Sequence, residues 1–252
     1  MMATTEQYIA SIVDKYRVQV DPGSPAHRAA DKILPLLKNW GKQYLLGLTL
    51  SGAYAKNTAV SVASHVDVLV LLAPVPGMEM KNIFWKLFEY LTEQNLRAHT
   101  REVSIQVEQK QFHIDVIPAY REHSQNVLFN KKSGRSVSTD IAQHIHLVAN
   151  SGRQQEICAM KIWRERNGLY FPSFCLELAV LRALENEPFG HLADNLRAIV
   201  RFLSGRFEKA VLRDPANADN FVSEDLSADE RATIAETARK TLYEENWKKM
   251  LW

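Results

Sequence analysis

Apolar residues recur at helical spacing near both ends of the chain and at alternate positions through its middle, and that change of period sets the element order. Thr4 and Gln7 have the spacing of a capping box ahead of Tyr8, Ile9, Ile12 and Val13, which predicts an amphipathic first helix stopped by Asp21-Pro22-Gly23. Ser24 before Pro25 supplies an N-cap and a first-turn proline for a second helix toward Trp40, with Pro35 as its point of kinking and Gly41 as its stop. Tyr44 to Ser51 and Val66 to Leu72 read as strands around a turn that contains Gly52, Lys56 and Asn57.

Met80 to Gln94 places Ile83, Phe84, Leu87, Phe88 and Leu91 on one helical face, suited to covering a sheet. Val103, Ile105 and Val107 alternate with polar residues, and across Gln109-Lys110 they lead into a strand from Phe112 to Ile117, so the two segments predict a hairpin. Lys131, Lys132 and Arg135 around Gly134 read as a solvated hairpin tip. From about Thr139 the period is helical only, through Ile157 to Trp163, Phe174 to Leu184 and Leu196 to Leu203, to a last helix opened by the Ser227/Glu230 capping box. Trp163, Phe174 and Trp247 fall at core positions. The expected class is α+β, with a mixed α and β front lobe over residues 1–138 and an all-helical lobe over 139–252.

Composition narrows the class further. With 46% hydrophobic and 24% charged residues in 252, the chain has the make-up of a folded protein, which excludes disorder, collagen-like repeats and coiled coil. The formal charge of +2, from 31 basic and 29 acidic side chains, makes nucleic-acid affinity a matter of local patches. Cys158 and Cys175 lie in no CxxC or Cys/His spacing, and the N-terminal stretch lacks the basic-then-apolar pattern of a signal peptide, so a cytoplasmic location is expected. The longest apolar run, Val68 to Pro76, is too short to cross a bilayer. His113, His144 and His146 are isolated on the expected elements and read as structural.

Chemistry concentrates in Ser51-Gly-Ala-Tyr-Ala-Lys-Asn-Thr58 followed by Ser64-His-Val-Asp-Val-Leu-Val70, in Phe112-His-Ile-Asp-Val-Ile-Pro-Ala119, in Lys161-Ile-Trp163, in Pro172-Ser-Phe-Cys-Leu-Glu-Leu178 and in Asp214-Pro-Ala-Asn-Ala-Asp-Asn-Phe-Val222. Positions 65 and 67 are two apart on a strand, and such side chains share one face. Taken singly, Gly52 and Lys56 also fit an ordinary polar turn, and Lys161 a solvated helix face.

Together, in this order, the segments resemble the nucleotidyltransferase superfamily that includes DNA polymerase β, and within it the oligoadenylate synthases, the bacterial cyclic-oligonucleotide synthases and the archaeal-type CCA-adding enzymes. The resemblance implies a mixed sheet with flanking helices, a C-terminal helical lobe and a nucleotide cleft between them. It assigns Gly52, the position of Ala53, Lys56, Lys161 and Ser173 to the nucleotide, and positions 65, 67 and 115 to catalysis, with Asp67 and Asp115 as metal ligands. A pair of magnesium or manganese ions, when bound in that family, stabilises the attacking and leaving oxygens of an in-line displacement.

Three residues depart from the pattern. Ala53 replaces the motif serine and removes a hydroxyl for a terminal phosphate, although backbone N–H groups can still cradle one. Asn57 replaces a glycine and tolerates a left-handed backbone. His65 replaces the first carboxylate of the pair, offering a nitrogen and no negative charge where a hard cation wants oxygen. Two readings stay open. One is an enzyme that moves a nucleoside monophosphate from a nucleoside triphosphate, ATP first among them, to a hydroxyl on an RNA end or a nucleotide, with weak or lost activity. The other is a pseudoenzyme that binds a nucleotide, RNA or a protein partner in bacterial antiviral defence or a toxin–antitoxin system.

Overall fold

The computed structural model describes residues 4–18, 23–62, 65–109 and 112–244. The expected helix stop at Asp21-Pro22, the motif residue Ser64, the hairpin position Lys110 and the core position Trp247 lie outside the described residues. The chain runs through α1 (Thr5–Tyr16), α2 (Pro25–Asp31), α3 (Leu34–Gly41), β1 (Leu45–Leu50), the single-turn α4 (Gly52–Ala55), β2 (Val66–Leu72) and α5 (Met80–Glu93). Next come β3 (Ala98–Thr100), β4 (Ile105–Gln109), β5 (Phe112–Glu122), β6 (Gln125–Asn130), β7 (Arg135–Thr139), α6 (Ile141–Ala149), α7 (Gln154–Arg166) and α8 (Ser173–Ala183). α9 (Leu192–Gly205), β8 (Arg213–Asp214), β9 (Asn217–Phe221) and α10 (Ala228–Leu242) complete the described chain.

The caps expected from sequence are formed. Thr4 Oγ1 accepts from Gln7 N at 3.3 Å while Gln7 Oε1 accepts from Thr4 N at 2.9 Å, and Ser227 and Glu230 make the same reciprocal pair at α10. Each box satisfies N–H groups that have no partner within the helix. Ser24 caps α2, but the single helix expected from Ser24 to Trp40 is two, because the chain turns at Lys32 and Ile33 and places Pro35 in the first turn of α3, where a missing N–H costs nothing.

The chain forms two compact units, one from the described residues of 19–56 and 64–145, the other from those of 1–18, 57–63 and 146–252. In the sheet unit β1, β2, β5, β4 and β3 lie side by side in that order, and β6 and β7 extend the sheet from the far end of β5. β2 and β5 are parallel and the other pairings are antiparallel. The β4–β5 hairpin forms as expected. β3, three residues long, was not expected as a strand, whereas β6 and β7 flank the hairpin tip expected around Gly134, Asn130 pairing with Arg135. Along β2 the strand alternation sends Val66, Val68, Val70 and Leu72 into the core, while Leu69 and Leu71 pack on the other face with Ile117, Ala119, Leu128 and Ile141.

The helical unit has its own core of residues from α1, α7, α8, α9 and α10. α1 belongs here, not with the sheet, because Ile9, Val13 and Tyr16 find their apolar partners among these helices. Of the residues 1–138 expected in the front lobe, those described within 1–18 and 57–63 group with the helical unit, and the later division falls between Ile145 and His146, inside α6. The expectation of a purely helical back half is corrected as well: Arg213–Asp214 and Asn217–Phe221 pair antiparallel, a hairpin closed by Asp214, whose carboxylate accepts from Ala216 N at 2.8 Å and Asn220 Nδ2 at 3.1 Å. Trp163 is buried in the core and Phe174 packs against it, as expected. No helix of the described residues is long and apolar enough to cross a membrane.

Cys158 and Cys175 are free, buried thiols. Burial pushes their pKa up, to about 11 for Cys158 and about 12 for Cys175, against an ordinary value of 9.0. The folded chain therefore keeps these protons where the unfolded chain releases them. The stability involved is complete below pH 9.0 and is lost as pH rises toward about 11 for Cys158 and about 12 for Cys175. The expected result is that a thiol reagent labels neither cysteine of the native protein at neutral pH, and that Cys158→Ala/Cys175→Ala flattens the alkaline limb of a stability–pH curve measured by urea unfolding.

Candidate active site

The parallel pairing of β2 with β5 is in register from Val66↔Ile114 to Leu72↔Tyr120, and Asp67 is the direct partner of Asp115. Both carboxylates thus stand on one face of neighbouring strands. They share that face with Leu69, Leu71, Ile117 and Ala119, so an apolar strip gives way to acid at its end.

The turn between β1 and β2 is built onto Asp67. Ser51 N donates to Asp67 O at 2.9 Å. Gly52 follows with φ +56, and a Cβ there would collide with Asp67 Oδ2. Only glycine satisfies both the left-handed backbone and the contact. Tyr54 is buried beneath the turn, and its hydroxyl pKa is raised, first by burial and then by the Asp67 charge. Ala53 is half-buried and brings no hydroxyl, and Lys56 is buried with its N–H donating to Gly52 O at 3.2 Å. Asn57 takes φ +57, the left-handed conformation expected of a glycine substitute.

A hydrogen-bond chain that the sequence reading missed crosses the site. Gln106, the β4 partner of Asp115, is 4% exposed. Arg101 Nη2 donates to Gln106 Oε1 at 2.8 Å, and because arginine only donates, this contact fixes the amide's orientation. The amide nitrogen then donates to Asp115 Oδ1 at 3.2 Å and to His65 Nδ1 at 3.2 Å. The contact brings the His65 ring into the same hydrogen-bonded chain as Asp115. The His113 ring lies 5.8 Å from that of His65, centroid to centroid. The signal for Gln106 was present: a tight hairpin between Gln109 and Phe112 fixes the register that sets Gln106 opposite Asp115.

Lys161 and Ser173 belong to the helical unit. Lys161 is 2% exposed, and its Nζ donates to Thr58 O at 3.3 Å, Thr58 Oγ1 at 2.9 Å and Glu177 Oε1 at 2.8 Å. Those three acceptors match the three N–H groups of an ammonium. Ser173, exposed at the first position of α8, accepts from Arg164 Nη1 at 3.0 Å and keeps its own O–H as a donor.

Among the described residues no group of three or more His, Cys, Asp and Glu side chains is placed to hold a metal ion. Asp67 and Asp115 are the two carboxylates that would hold a divalent cation there, with Gln106 Nε2 donating to Oδ1 of Asp115.

No protein-family model matches the sequence, and no curated protein does. Solved structures do match. The chain is similar to the CD-NTase CdnG of Bradyrhizobium diazoefficiens in complex with GTP, with 11% identity and a TM-score of 0.78 over 95% of this chain and 91% of that one. It is similar to the CdnE cyclic dinucleotide synthase of Elizabethkingia meningoseptica with GTP and Apcpp, at 15% identity and TM-score 0.70 over 96% and 100% of the two chains. The Cid1 poly(U) polymerase bound to MgATP matches at 13% identity and TM-score 0.67 over 98% of each chain. The fold is therefore the nucleotidyltransferase fold.

Two stability tests address this geometry. Gly52→Ala forces a methyl into the Asp67 carboxylate and strains the backbone, and is expected to cost about 1–3 kcal/mol in urea unfolding. Lys161→Met or Glu177→Gln alone leaves a buried charge uncompensated and is expected to cost about 3–5 kcal/mol, whereas Lys161→Met/Glu177→Leu recovers most of that loss.

Proposed function

We propose that this chain is a nucleotide-binding protein on the nucleotidyltransferase fold in which transfer of a nucleoside monophosphate is weak or lost. The observation that carries the reading is His65, an imidazole bound to the Gln106 amide where the resemblance places a carboxylate. Removing one charged ligand from a phosphoryl-transfer centre costs several kcal/mol of barrier, and each 1.4 kcal/mol or so is tenfold in rate. Ala53 weakens the hold on a terminal phosphate further. Nucleotide binding is supported by neighbours that hold ATP or GTP, and ATP is the first candidate. Gly52 and Lys56 present the turn that would cradle phosphate, while the Lys161 ammonium is committed to Thr58 and Glu177. Loss of catalysis leaves binding of nucleotide, RNA or a protein partner as the function, as in a pseudoenzyme of bacterial defence.

The in-register Asp67 and Asp115 favour residual transfer to an RNA or nucleotide hydroxyl as the second reading. One assay decides between them: purified protein with each labelled nucleoside triphosphate, with magnesium or manganese, with and without RNA. Bound ATP without pyrophosphate release is expected of the natural chain, and pyrophosphate release is expected to appear in Ala53→Ser/His65→Asp. Turnover by the natural chain that Asp115→Ala abolishes would overturn the proposal in favour of the second reading.

A further inference from the structure

A hollow of about 850 Å³ is lined by the C-terminal ends of α8 and α9 and by the segment that follows α9, Arg206 to Leu212. Its lining residues all belong to the helical unit, and none of them is assigned to the candidate active site. The volume is that of a small-molecule site, about 300–1,000 Å³. Phe202, Val211 and Leu212 give it an apolar lining, of which Leu212 is buried while Val211 is 65% exposed and open to a ligand.

Three arginines, Arg182, Arg201 and Arg206, line the same hollow, with Glu185 and Glu187 as its acids. Arg182 is paired with Glu185 at 2.9 Å. The guanidinium groups of Arg201 and Arg206 make no hydrogen bond or ion pair among the described residues. Arginines at the end of a helix commonly serve its last carbonyls, which lack partners within the helix. Here other donors serve them: Arg206 N donates to Phe202 O at 2.9 Å, Arg239 Nε to Ser204 O at 3.1 Å, and Arg153 Nη2 to Leu184 O at 3.2 Å. Two permanently charged, planar forks are thus left over beside apolar surface, and such forks match the oxygens of a phosphate. A phosphate monoester carries a charge of about −1.5 to −2 at pH 7, which suits two guanidinium groups better than the single charge of a carboxylate does.

We infer that this hollow binds a small molecule that carries a phosphate monoester on an aromatic or aliphatic body, with Arg201 and Arg206 on the phosphate and Phe202, Val211 and Leu212 on the body. The inference goes beyond the nucleotide-binding reading and does not rest on it, since it uses none of the residues on which that reading depends.

The test is calorimetric titration of the full chain with 1-naphthyl phosphate, beside 1-naphthol, 1-naphthoate and inorganic phosphate. Naphthyl phosphate is expected to bind, and each of the other three to bind about tenfold or more weakly than it does. Arg201→Ala/Arg206→Ala removes the charge from exposed positions and keeps the hollow. Gly205→Trp keeps the charge and fills the hollow, and a Cβ at 205 meets nothing within 4 Å, so the ring enters without a clash at the backbone. Both variants, checked by thermal unfolding to be folded, are expected to weaken naphthyl phosphate binding by about tenfold or more. No binding of naphthyl phosphate overturns the inference, as does either variant binding it as tightly as the natural chain. Naphthol binding as tightly shows apolar capture without the arginines, naphthoate binding as tightly shows a general anion site, and each of these results also overturns the assignment to a phosphate.

Discussion

Register between two parallel strands is a discrete quantity, and here it decides where the acid goes. Because side chains alternate across a sheet, a slip of one residue between β2 and β5 would set Asp67 beside an apolar core position of β5. The observed pairing is held by the apolar partners on either side, Val66 with Ile114 and Val68 with Val116. Given that register, the remaining features of the turn follow. Asp67 O receives the Ser51 N–H, the carboxylate occupies the space a side chain at 52 would need, and the Tyr54 hydroxyl is held neutral beside it. The core specifies the strands, and the strands specify the site.

What stands around Asp67 and Asp115 is a mixed network of amide, imidazole and guanidinium rather than a cluster of carboxylates. Asp67 and Asp115 keep the site negative, and the Arg101 guanidinium, joined to it through Gln106, offsets part of that charge. The imidazole at position 65 has a hydrogen-bond partner in the Gln106 amide. The substitution at 65 is therefore accommodated by its neighbours.

Much of this was legible in the sequence, for physical reasons. Caps at Thr4, Ser24 and Ser227 are local hydrogen-bond chemistry, and local chemistry reads directly from neighbours in the chain. The strands that carry Asp67 and Asp115 announce themselves as apolar runs because they are buried. β6 and β7 do not, as each is half polar, and their pairing depends on β5 extending beyond Ile117 to Glu122. The home of α1 was illegible for a similar reason: an amphipathic stripe states that a face is buried, not against what. Gln106 and Arg101 escaped notice because their role comes from partners brought near by pairing, and no motif marks them. Lys161 was recognised as a lysine of consequence, but its salt bridge to Glu177 depends on how two helices pack.

The burial of α7 bears on how the helical unit finds a single packing. Nearly every side chain from Glu156 to Arg164 is shielded from water, so this helix has no wet side to fix its rotation, and greasy contacts alone would tolerate sliding by a turn, about 5 Å. Its polar atoms remove that freedom. Lys161 must meet Glu177 and Thr58, Arg153 must meet Glu156 and the carbonyls of Leu184 and Pro188, and the Trp163 indole must meet Thr241. A shifted α7 would strand all of these donors in hydrocarbon at once. Such a helix is keyed like a tumbler lock, and the ionic groups in its core act as arbiters among alternative packings more than as sources of affinity between helices.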